Sequence, residues 1–112
     1  MKIIKYKPIY KKAILDYTVA TGRETKAVEL MLEIRGTICL IAFNRNKKFL
    51  GYVIGAPSVN NAESFFVLLW LSKTPSSGYR LAKRMFKEIK SKGYKYAEYY
   101  RSATNKEVRK EL

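Results

Sequence analysis

The sequence has no histidine and a single cysteine. Without histidine the commonest general base and metal ligand is missing, and a Ser-His-Asp triad is excluded. One cysteine rules out an internal disulfide framework. Cys39 lies in the apolar run "TICLIAF" and reads as a small core residue rather than a nucleophile. No Cys/His or carboxylate cluster has metal-ligand spacing, so no metal is expected. No apolar run reaches the roughly 18 residues of a membrane helix. The opening "MKIIKYKPIYKK" has no apolar signal-peptide core. These absences predict a soluble, intracellular protein with no membrane partner. Acids are also scarce: 9 against 23 basic residues, a net charge of +14. That excess predicts attraction to something anionic: nucleic acid, an acidic membrane surface, an acidic protein or a phosphorylated cofactor. The sign of the charge does not choose among them, and lysine-rich, alanine-poor usage also fits plain compositional drift.

What is present suits one ordinary core. The 112 residues are 47% hydrophobic, which excludes wholesale disorder and predicts a single domain over 1–112. "KIIKY" reads as a first strand ending near Pro8. Apolar residues at helical spacing predict a helix from Ile9 to about Ala20 and another from Thr25 to Arg35, stopped by Gly22 and Gly36. "TICLIAF" and "FLGYVIGA" form a hairpin around "NRNKK". "SFFVLLWLS" is apolar on both faces, as in a central strand of a covered sheet. A helix follows from about Ser77 to Lys92, then the strand "YKYAEYYR", then a last helix in "TNKEVRKEL" capped by Thr104 or Asn105. The strand-helix-strand unit is expected to be parallel and right-handed. The predicted class is α+β with one mixed central sheet, in the order β-α-α-β-β-β-α-β-α.

The stretch "WLSKTPSSGYRLAKRMFKEIKSKG" from Trp70 joins the most apolar strand, a turn of small residues and an unusually positive helix start. Free N–H groups and the helix dipole make such a start positive. Small residues let a phosphate approach it. No acid appears before Glu88, whereas Lys73, Arg80 and Arg84 are close in sequence. This chemistry suits an external anion at Ser76, Ser77 and Gly78. It equally suits a plain N-cap at Ser76 or Ser77 with a solvated basic face.

The order of elements, together with this turn, resembles the GNAT family of acyl-CoA N-acyltransferases. Their signature is R/Q-x-x-G-x-G/A after the fourth strand, followed by a leucine or similar residue. The matching positions are Lys73, Ser76, Ser77, Gly78 and Leu81; only Gly78 matches strictly. The resemblance implies acetyl-CoA as cosubstrate. Its pyrophosphate would lie on the turn from Lys73 through Tyr79, and its pantetheine arm on backbone groups of Leu69 and Leu71 and on Asn105. It also implies transfer of the acetyl group to an amine, with Glu63, at the start of the fourth strand, as candidate general base. On its own residues Glu63 reads first as a plain strand-entry residue. Two features depart from the family. The place of its thiolate-protonating tyrosine is taken by Leu112, and no closing strand is expected after the last helix.

The second reading is a noncatalytic binding or structural protein, for example of viral type, reusing this fold. "YKYAEYYR" interleaves tyrosines with basic residues, and Lys83, Arg84, Lys87 and Lys90 make a basic helix face. Both could contact nucleic acid nonspecifically. With nothing beyond the fifth strand, Tyr94 to Arg101 is expected at a bare sheet edge. It would then pair with a second copy in a homodimer or with another protein.

Overall fold

The computed structural model describes residues 1–101 and 106–112. Its strands are β1 (Lys2–Lys5), β2 (Ile38–Phe43), β3 (Phe49–Pro57), β4 (Ser64–Ser72), β5 (Tyr96–Arg101) and β6 (Lys106–Glu111). Its α-helices are α1 (Lys11–Ala20), entered through a 3-10 turn at Pro8–Tyr10, α2 (Lys26–Leu32) and α3 (Pro75–Ser91). The strands form one sheet in the order β1-β2-β3-β4-β5-β6. All neighbours are antiparallel except β4 and β5, which α3 connects in parallel. This is the expected α+β class with a mixed sheet.

Both faces of the sheet are covered, which is why β2 and β4 read as continuous apolar runs. Alternate residues Leu40, Val53, Phe65 and Val67 pack with Leu81, Met85 and Ile89 of α3. Their neighbours Ile41, Tyr52, Ile54 and Leu71 pack with Ile14 of α1 and Val28 of α2. Within the second layer the buried Tyr52 hydroxyl lies 2.6 Å from Thr18 Oγ1, which itself donates to the Ile14 carbonyl at 2.7 Å. A polar pair in an apolar layer is tolerated because each member finds a partner.

The expected last helix is corrected. Its described part, Lys106–Glu111, is a strand lying antiparallel on β5, from Tyr96↔Glu111 to Arg101↔Lys106. "KEVRKE" is composed of good helix formers, but propensity is a weak prior. The backbone groups of β5 need partners on this side, and pairing supplies them. Val108 sits opposite Tyr99, the Arg109 guanidinium stacks 3.8 Å from the Tyr96 ring centroid, and Lys110 Nζ lies 5.0 Å from that of Phe86. Leu112 packs against the α3-side core. The bare β5 edge is therefore corrected as well: β6 fills it. The proposed caps Thr104 and Asn105 lie outside the described residues. No helix among the described residues is long and apolar enough to cross a membrane.

Cys39 of β2 is buried in the α1/α2 layer, and burial pushes its thiol up from 9.0 to about 12. The folded protein thus holds the proton more tightly than the unfolded chain does. This contribution to stability is complete below the ordinary thiol pKa and is lost as pH rises from about 9 towards 12. An aromatic disulfide reagent at pH 8 is expected to label Cys39 far more slowly in the native protein than in denaturant. Equal rates would show that the thiol is not sequestered.

Candidate functional site

The sheet parts at one place. β4 and β5 share only the pairs Ser64↔Tyr96, Phe65↔Ala97 and Phe66↔Glu98, although both strands continue. The cause lies on the other side of β4. Its register against β3 runs Ile54↔Leu69 and then Gly55↔Val67, so Leu68 is an extra, unpaired residue. Such a bulge bends its strand and sharpens the local twist. It also reverses the alternation of side chains. Phe65 and Val67 face α3 before it, whereas Leu69 and Leu71 join the α1/α2 layer after it. Beyond Phe66, then, β4 has no ladder partner on its β5 side, and a wedge opens towards the start of α3.

That start is built by Thr74, not by Ser76 or Ser77. Thr74 is extended (φ −135°, ψ 151°) and its Oγ1 accepts from the Ser77 amide at 3.1 Å. Pro75 occupies the first helical position and has no N–H. The Gly78 amide goes to the Thr74 carbonyl. Ser76 is exposed, and its amide has no acceptor among the described residues. The Ser77 side chain is buried and lies 2.7 Å from Thr74 Oγ1. No acid stands in the first turn. Glu88, the first in the helix, is held by Arg84 at 3.2 Å and Lys5 at 3.8 Å.

The other sequence-derived positions distribute as follows. Leu69 and Leu71 lie on the parted length of β4. Lys73 donates its amide to Leu50, and its Nζ sits 5.7 Å from the Tyr17 ring centroid on the α1 side. Tyr79 is 68% exposed on α3. Asn105 lies outside the described residues. Glu63 sits at the closed end of the β4/β5 pair with Lys95 Nζ at 3.4 Å. The turn, Leu69 and Leu71 are thus brought together around the wedge, while Glu63 is at its far end.

Two residues that the sequence did not single out shape the wedge. Trp70 donates its indole N–H to the Gly78 carbonyl at 2.9 Å, tying β4 to the first turn of α3. Glu98 stands at the last shared rung, opposite Phe66, with Oε1 buried and without a hydrogen-bond partner. Gly78 is required by packing: a Cβ there would stand 2.6 Å from Ser72 Oγ, which donates to the Thr74 carbonyl. Gly78→Ala is therefore expected to lower thermal stability in the wild-type background. With Ser72→Ala the added methyl fits, and the same change is expected to stabilise by about 0.5–1 kcal/mol through helix propensity. A stabilising effect in the wild-type background would refute the packing role.

No protein-family model and no curated protein matches the chain. Solved structures do resemble it. An aminoglycoside 6'-N-acetyltransferase from Enterococcus faecium superposes with a TM-score of 0.74 at 18% identity, over 88% of this chain and 60% of that one. An aminoglycoside 6'-N-acetyltransferase complexed with coenzyme A gives 0.69 at 18% identity, over 88% and 61%. An acetyltransferase of the GNAT family from Staphylococcus aureus Mu50 gives 0.72 at 12% identity, over 89% and 72%. The chain spans about three fifths of the length of the first two. It has the fold of the GNAT acetyltransferases.

Proposed function

We propose that the chain binds acetyl-CoA along the β4/β5 wedge and passes its acetyl group to an amine. The observation that carries this reading is the parting of β4 from β5 beside a helix start with no acid in its first turn. The likeness to a structure holding coenzyme A supports it. The donor set fits the anionic end of such a ligand. The Ser76 amide is free, and Arg80 is exposed one turn further along α3. The cradle is leaner than a glycine-rich turn, because Pro75 lacks an amide and Thr74 already occupies that of Ser77. Side-chain charge must therefore supply more of the attraction, and affinity should fall steeply with salt.

The arm would lie on the parted edge of β4 over Val67–Ser72, the stretch that includes Leu69 and Leu71. That edge offers backbone groups that no strand uses. The thioester supplies an activated acyl carbon. The protein supplies proximity and backbone N–H groups towards the developing oxyanion.

Ser76→Asp separates the helix from the ligand. An aspartate in the first turn stabilises a helix by typically 0.3–1 kcal/mol but repels a phosphate. The expected result is an unchanged or raised melting temperature together with an acetyl-CoA affinity roughly tenfold weaker, as for loss of one charge-assisted contact. Trp70, the single tryptophan, lies at the wedge and serves as the fluorescence reporter. An unchanged affinity in this variant would move the ligand away from the α3 start.

A further inference from the structure

We infer that the cleft on the α2 side of the β4/β5 apex is the acceptor site, that it takes a small polycationic amine, and that Glu98 removes the proton of the reacting nitrogen. This rests on the acetyl-transfer reading. The cleft has a volume of about 380 Å³ and lies between the end of α2, the β3–β4 turn and the β5–β6 ladder. Met31 and Ile34 contribute from α2 and the residues after it, Pro57, Ser58 and Asn60 from the turn, and Phe66 from β4; none is charged. Among the described residues, the charged ones in the lining are Glu98 and Glu107. In a chain of net charge +14, the described lining of this cleft thus has two carboxylates and no basic residue.

Glu98 lacks the partner that its position offers. Arg109 stands directly across the β5–β6 ladder from it, yet the guanidinium is stacked on Tyr96. Oε1 is left buried and unbonded, an unfavourable state for a carboxylate unless a ligand completes it. The rings of Phe66 and Tyr100, 6.2 Å apart and nearly perpendicular, flank the same space and suit an alkylammonium. Tyr100 pairs with Glu107 across the ladder, which puts an exposed second carboxylate at the rim. One half-buried and one exposed acid match an amine with a second positive charge.

Glu98 also pairs with Phe66, the last rung before the wedge, so the cleft borders the apex. The ammonium gives one proton to the Glu98 carboxylate, which later releases it to solvent. The amine nitrogen bonds to the thioester carbonyl carbon. The C–S bond breaks, and the second nitrogen-borne proton ends on the thiolate. Amide, free thiol and one solvent proton result.

Spermidine is the probe, measured by calorimetry at low salt without acetyl-CoA and then as an acceptor by thiol release. Wild-type protein is expected to bind it. Glu98→Gln should weaken binding roughly tenfold or more, as for loss of a charged hydrogen bond. Glu107→Gln should weaken it by a smaller factor, and Glu24→Gln, on the exposed surface after α1, should have no effect. In turnover Glu98→Gln should lower kcat by about a hundredfold or more, with the acetyl-CoA dissociation constant unchanged. Failure of spermidine to bind, or equal binding by Glu98→Gln, overturns the acceptor site. Spermidine binding without acetyl-CoA binding overturns the transfer reading and the proton step but keeps the cation site.

Discussion

The extra residue that Leu68 inserts into β4 turns that strand away from β5 after Phe66, and the candidate site depends on the resulting gap. On one side of the bulge, Phe65 and Val67 hold β4 against α3. On the other, Leu69 and Leu71 hold it against the α1/α2 layer, while Trp70 reaches the first turn of α3. A straight β4 would keep one alternation throughout and could continue its ladder with β5. The bulge thus converts one residue of sequence into strand backbone with no β5 partner beside a helix start.

Charge is separated across the same gap. The α3 side carries Arg80, Lys83, Arg84 and Lys87 with no acid before Glu88. The α2 side carries Glu98 and Glu107, with no base among the described cleft residues. A phosphorylated ligand and a cationic one would therefore be attracted to opposite faces of the sheet and meet where the strands part. Electrostatics of this kind steer both encounter and orientation.

The sequence made much of this visible, for physical reasons. Apolar runs marked the covered strands, and the 3.6-residue stripe of Ala82, Met85, Phe86 and Ile89 marked α3. The missing acids before Glu88 marked its positive start. The cap was misplaced because Pro75 at the first helical position makes Thr74 the capping residue. Lys106–Glu111 was read as a helix because propensity is local, whereas the need of β5 for a neighbour is not. The bulge left no trace, since nothing in "SFFVLLWLS" distinguishes Leu68 from its neighbours. Glu98 was hidden for a similar reason: its isolation arises from Arg109 turning to Tyr96, a contact between two strands.

Amide hydrogen exchange over β4 tests the parted strand most directly. In the free protein, amides between Val67 and Ser72 that point away from β3 should exchange much faster than those pointing towards it. Acetyl-CoA should slow the fast set and leave β2 and β3 unchanged. Uniformly slow exchange along β4 in the free protein, with no response to acetyl-CoA, would contradict the account.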